Sequence, residues 1–164
     1  MHANAELIHR FYMSFSAREA DAMCACYHPQ VRFSDPVFTG LQGARAGAMW
    51  QMLCHRGKDL QLSFGEVEAD DEGGKAHWEA WYTFGATGKK VHNVIEARFR
   101  FQDGLIVQHD DDFDMTAWCK QALGLPGKLF GGTAFLQNKV RSQADKGLDA
   151  WIAKKGLPAL GGVA

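Results

Sequence analysis

The chain has 164 residues, with 18 lysines and arginines against 19 aspartates and glutamates and a formal net charge of −1. That length supports about one domain with its own core, and the balanced charge lacks the basic excess that tracks a nucleic-acid backbone or an anionic membrane. No apolar run approaches the roughly 20 residues that span a bilayer, and the first residues, with Asn4, Glu6, His9 and Arg10, lack the apolar stretch of a secretion signal; a cytoplasmic protein with no nucleic-acid or membrane partner is expected.

Leu7, Ile8, Phe11, Tyr12 and Phe15 recur at helical spacing and predict a first helix that packs on something large and stops near Ser16. Ser16 followed by Glu19 has the form of a capping box, which predicts a second helix through Met23 towards Tyr27, ending at His28-Pro29. Cys24 and Cys26 then diverge by about 200°, the wrong geometry for a redox or zinc pair; together with Cys54 and Cys119 they are read as free thiols. Val31 to Ser34 forms a short strand running into Asp35-Pro36, whose proline holds Asp35 in an extended conformation. A third helix is expected from Ala44 to His55, with Met49, Trp50 and Leu53 inward.

From Leu60 to Met115 the pattern turns to period two, punctuated at Asp70-Gly74, Gly85-Gly88 and Gln102-Gly104. Four strands of a meander follow, roughly Leu60 to Glu68, Lys75 to Phe84, Val91 to Phe101 and Leu105 to Met115. In the second, Trp78, Ala80, Tyr82 and Phe84 share one face; Trp81 on the other implies a cover, either the tail helix or a homodimer partner. Residues 124 to 132 read as a glycine-rich loop, with Gly131-Gly132 either as plain punctuation or as the widened entrance of a remodelled scaffold. Thr133 then caps an amphipathic helix carrying Leu136, Val140, Ala144, Leu148 and Ile152, stopped by Gly156 and Pro158. Helices first and a long antiparallel meander afterwards make an α+β plan with a concave sheet face able to hold a ligand. Residues 1 to 124 are expected to form that domain, with 125 to 164 a loop and helix packed on it.

The segments Phe33-Ser34-Asp35-Pro36-Val37, Phe99-Arg100-Phe101-Gln102-Asp103-Gly104-Leu105-Ile106 and Phe113-Asp114, in this order of helices and strands, resemble the SnoaL-like branch of the nuclear transport factor 2-like superfamily. The resemblance covers roughly residues 5 to 124. It implies a cone-shaped fold around a pocket for a small apolar molecule. The superfamily includes ketosteroid isomerase, limonene epoxide hydrolase, polyketide cyclases and members with no catalysis, so fold alone does not choose an activity.

Asp35, beside Val37, Phe38 and Trp50, would lose hydration, which raises its proton affinity towards the range of a general base; ketosteroid isomerase has its base at the same place in a similar Asp-Pro-Val segment. The bland alternative is that Asp35 caps a turn. A gapless alignment sets Phe11 and Ala97 where the isomerases carry their oxyanion tyrosine and acid, with Tyr12 and Glu96 one residue away. Strand alternation puts His109, Asp111 and Phe113 on one face of the last strand, and Asp110, Asp112 and Asp114, too charged to bury together, on the other. Asp111 with His109 is then a second acid–base candidate or a structural bridge, and Asp111 falls where the resemblance to the epoxide hydrolase and the cyclases places an acid or base. Asn93 shares its face with Ile95, Ala97, Phe99 and Phe101, and His92 points outward. Tyr12, Phe15, Trp50, Cys54, Tyr82, Asn93, Phe99 and Phe113 are the expected pocket wall, with Cys54 able to face His109. No HxH or HExxH spacing supports a metal at His109.

Two readings follow. One is a cofactor-independent acid–base enzyme on a small apolar substrate, of isomerase, cyclase, dehydratase or epoxide hydrolase type. The other is a homodimeric or small-molecule-binding domain without chemistry.

Overall fold

In the computed structural model, which describes residues 1–162, α1 (Ala3–Ser16) forms on the predicted stripe, and Leu7, Ile8, Phe11, Tyr12 and Phe15 are all buried. The capping box does not form. Ser16 belongs to the last turn of α1, Arg18 turns the chain with a φ of 55°, and Glu19 caps α2 (Ala20–Ala25) without a side-chain bond. That helix ends early because Tyr27, His28 and Pro29 belong to β1 (Tyr27–Ser34), where Tyr27 pairs with Ile106 in a parallel ladder.

A two-residue strand, β2 (Leu41–Gln42), folds back on β1 and leads into α3 (Ala44–Arg56). Trp50 and Met49 of α3 are buried as expected, but Met52 is buried where Leu53 was expected, and Leu53 is only half-buried. The meander follows as β3 (Gln61–Ala69), β4 (Gly73–Phe84), β5 (Lys89–Gln102) and β6 (Leu105–Asp112). The sheet order is β2-β1-β6-β5-β4-β3, antiparallel throughout except for β1 against β6. Along β5 the alternation is regular: Val91, Ile95, Ala97 and Phe99 are buried while His92, Val94, Glu96 and Arg98 are exposed. The curved sheet thus wraps α1 and α3 on its concave side, the α+β cone.

The last strand stops at Asp112, short of the expected Met115, because the Asp114 carboxylate accepts from the Ala117 N–H at 3.0 Å and opens α4 (Met115–Ala122). The expected loop that follows contains α5 (Leu125–Phe130). Two of its glycines are demanded by close packing: a Cβ at Gly127 would collide with the Cys119 carbonyl, and one at Gly131 with the Gly127 carbonyl, whereas one at Gly132 would meet only Thr116 at ordinary contact distance. Thr133 caps α6 (Ala134–Lys155), which packs on α3 through buried Leu148 and an Arg45–Asp149 ion pair at 2.7 Å, and also touches α4. α6 therefore does not cover the outer sheet face, where Trp81 stays 40% exposed and stacks on His92 at 4.7 Å. Among the described residues no helix is long and apolar enough to cross a membrane.

Candidate active site

The deepest part of the cone is built from rings that meet across it. His109 on β6, with no exposed surface, lies 4.4 Å from the Phe99 ring, 5.0 Å from Phe33 and 6.0 Å from a stacked Trp50. Its two nitrogens are both engaged. Tyr27 Oη lies 2.8 Å from Nδ1, and Asp111 Oδ1 lies 2.9 Å from Nε2. Trp50 Nε1–H donates to the Tyr27 hydroxyl at 2.8 Å. Indole can only donate, so the tyrosine proton goes to His109 Nδ1 and the Nε2–H goes to Asp111. A relay Trp50, Tyr27, His109, Asp111 results, in which every buried donor has an acceptor.

Asp111 sits at the upper end of that relay with 7% of its surface exposed, and Trp78 Nε1 reaches the same Oδ1 at 3.4 Å. Tyr12 is close by. Its hydroxyl is buried without a hydrogen-bond partner, and burial, then the charge of Asp111 and the presence of Tyr27, push its ionisation well above the ordinary tyrosine value. Tyr12 therefore presents a neutral O–H donor; both Phe11 and Tyr12 fall within the broad buried stripe of α1. A buried hydroxyl without a partner is costly. Tyr12→Phe is expected to hold or raise stability by about 1 kcal/mol in urea unfolding, and a loss of similar size would mean that the hydroxyl is satisfied.

Asp35 follows the last residue of β1, in a loop that it organises itself. Its Oδ1 accepts from the Val37 and Phe38 N–H groups at 2.7 and 2.6 Å, and its own N–H donates to the Phe38 carbonyl at 2.8 Å. The turn-capping role is thus present, and it occupies only one carboxylate oxygen. Loss of hydration raises the Asp35 pKa to about 7; the charge of Asp111 adds to this, while the Phe38 and Val37 N–H bonds oppose it. Beside it, Val37, Tyr82 and Phe113 are half-buried and bridge the main core to a smaller cluster formed with Trp118 of α4. Tyr82 takes a 2.7 Å bond from Trp118 Nε1, and burial pushes its hydroxyl up to about 12 against the effect of that bond. The Pro36 carbonyl accepts from Arg141 Nε at 2.8 Å, so α6 straps the loop that carries Asp35.

A family model for the SnoaL-like domain matches residues 8–109. The chain belongs to the SnoaL-like family. The matched span takes in Asp35 and ends at His109, two residues before Asp111. Solved structures agree on this fold: a SnoaL-like polyketide cyclase candidate from Jannaschia sp. CCS1 has TM-score 0.66 at 16% identity, covering 76% of this chain and 94% of its own. An LEH-like epoxide hydrolase from M. tuberculosis has TM-score 0.62 at 17% identity, covering 82% and 95%. TerC, crystallised with polyporic acid, has TM-score 0.62 at 18% identity, covering 73% and 98%. No curated protein sequence matches the chain.

On this SnoaL-like scaffold the expected residues divide. Asp35 lies within reach of the charge of Asp111 and itself acts on Tyr82, and Tyr12 feels Asp111, while half-buried Phe113 packs against both clusters; Tyr12, His109, Trp50, Phe15 and Phe99 are all buried in the main core. Asn93 is half-buried on β5 opposite Ala80. Cys54 does not meet His109: one turn beyond Trp50 on α3, its Sγ lies 3.8 Å from Met23 Sδ of α2, and burial raises the thiol to about 11. Two surface clefts lie elsewhere, one of about 490 Å³ beside Lys120 and Lys128, the other of about 440 Å³ beside Arg98 and Asp110. The sequence reading missed Tyr27, although its parity with Val31 and Phe33 on one strand face would have found it. It also missed Trp78 as a donor to Asp111, and Arg141.

Proposed function

We propose that this SnoaL-like protein is a cofactor-independent acid–base enzyme for a small apolar substrate, with Asp35 as the proton carrier. One observation carries the reading: half-buried Asp35 has a carboxyl that loss of hydration raises to about 7, with one oxygen held by two backbone N–H groups and the charge of Asp111 nearby. A carboxyl with that affinity is divided between both protonation states at neutral pH, the condition under which one group can take and return a proton.

In this reading the substrate enters past half-buried Val37, Tyr82 and Phe113 and lies between the two carboxylates. Asp35 Oδ2 takes a proton from a carbon next to a carbonyl, or gives one to an epoxide or alcohol oxygen. The Tyr12 O–H donates to the substrate oxygen where charge develops. Asp111, held by His109 Nε2–H, keeps the proton affinity of Asp35 high and is the second acid–base group; His109 has no exposed surface, so it acts by positioning Asp111. The cyclase and epoxide hydrolase neighbours support this class of chemistry without choosing within it.

The second reading is a non-catalytic binding or dimerisation domain. The dense ring packing beneath Asp111 favours it, and exposed Trp81 and Val94 on the outer sheet face offer a seat for a second copy. A panel of small apolar carbonyls, epoxides and polycyclic ketones separates the two. Turnover by the wild type, lost in Asp35→Asn or Asp111→Asn while binding persists, is the expected result. Binding without turnover in all three proteins would leave the binding domain.

A further inference from the structure

On the outer face of the sheet, away from Asp35 and Asp111, three adjacent strands bring Glu66, His77 and Glu96 together with one ligand atom of each within 4.8 Å of the others. Their placement follows from the sheet. His77 on β4 pairs with Glu96 on β5 and, on its other side, with Gly65 on β3. A bulge then sets Glu66 and Val67 against Ala76 alone, and the φ of 52° at Glu66 keeps its side chain on the outer face just after Gly65. Gly65 itself leaves open space above His77, since a Cβ there would meet nothing within 4 Å.

The two histidine nitrogens face different ways. Nδ1 points at Glu96 Oε1, 2.5 Å away, within the three-residue group. Nε2 points at Glu79 Oε2, 3.1 Å away, and the other Glu79 oxygen is held at 2.8 Å by His92 Nε2. Both ring nitrogens thus face carboxylate acceptors; a bound metal takes the place of the proton on Nδ1 while Glu79 keeps the Nε2–H, the arrangement that orients metal-binding histidines. The donors are one imidazole nitrogen and carboxylate oxygens, a set suited to first-row divalent cations such as Zn²⁺.

We propose that Glu66, His77 Nδ1 and Glu96 bind one divalent transition-metal ion, with Glu79 and His92 orienting the histidine. Its ligands come from β3, β4 and β5, so the ion clips the edge strand β3 to the sheet interior and keeps a coordination position open to solvent. This site is independent of the proton chemistry proposed above.

The test is ZnCl2 alone, titrated into the full chain by calorimetry at pH 7.5, with native mass spectrometry for stoichiometry. One Zn²⁺ per chain is expected, with binding weakened about 10- to 100-fold by Glu66→Gln and by Glu79→Gln; Glu66 is exposed, so the first variant leaves the fold intact. Thermal unfolding of the wild type should shift upward with Zn²⁺ and that of Glu66→Gln should not. Absence of one-to-one binding at submillimolar Zn²⁺, or equal binding by wild type and Glu66→Gln, would overturn the proposal.

Discussion

Asp35→Asn is expected to make the protein more stable at pH 8 and, on the proposed reading, inactive. The folded protein binds the Asp35 proton with a pKa of about 7 against an ordinary value of 3.8. Between these values the folded state holds more protons than the unfolded one. The contribution of Asp35 is therefore fully present below about pH 4 and is lost as the pH rises through about 7. Asparagine keeps an oxygen for the Val37 and Phe38 N–H groups and never has to ionise. In urea unfolding the variant should match the wild type near pH 4 and exceed it by roughly 4 kcal/mol at pH 8. Turnover of any substrate found should fall by about 100-fold or more. Equal stability of the two proteins across pH 4 to 8 would mean that Asp35 is well hydrated in the folded chain.

His109→Leu carries the second large effect, in the opposite direction. It leaves the Tyr27 hydroxyl without its acceptor and Asp111 with only the long Trp78 contact. Removing one partner of a buried charged network costs about 3 to 5 kcal/mol, a fall in Tm of roughly 10 °C for a chain of this size. The double variant His109→Leu with Asp111→Leu should recover part of that loss, since it also removes the stranded carboxylate. A loss below about 1 kcal/mol in the single variant would mean that water replaces the imidazole, and that the relay is not what holds Asp111.

Much of this site is legible in the sequence, and the reasons differ from residue to residue. Alternation on β6 separates His109 and Asp111 from Asp110 and Asp112 because three adjacent carboxylates cannot share an interior. The Asp-Pro-Val segment marks Asp35 through the proline. The parallel pairing of β1 with β6 is not legible, because a parallel partner leaves no hairpin signal in the chain. That pairing draws Tyr27 out of the expected helix and brings its hydroxyl to His109. Residues 115 to 130 carry short helices that sequence periodicity cannot separate from a loop, since α4 has eight residues and α5 six. The inward position of Tyr12 is legible in the α1 stripe, but the lack of a partner for its hydroxyl is not, because that depends on the residues the sheet packs around it.

The proposed chemistry turns on the Asp35 carboxyl carrying a proton at neutral pH. Its most direct test is a ¹³C NMR titration of the side-chain carboxyl carbons of the folded protein from pH 3 to 9, with Asp35→Asn used to assign the signal. The signal lost in the variant is expected to titrate with a midpoint near 7. A midpoint near 4 would contradict it, leaving Asp35 the cap of its own turn and Asp111 as the remaining acid–base group.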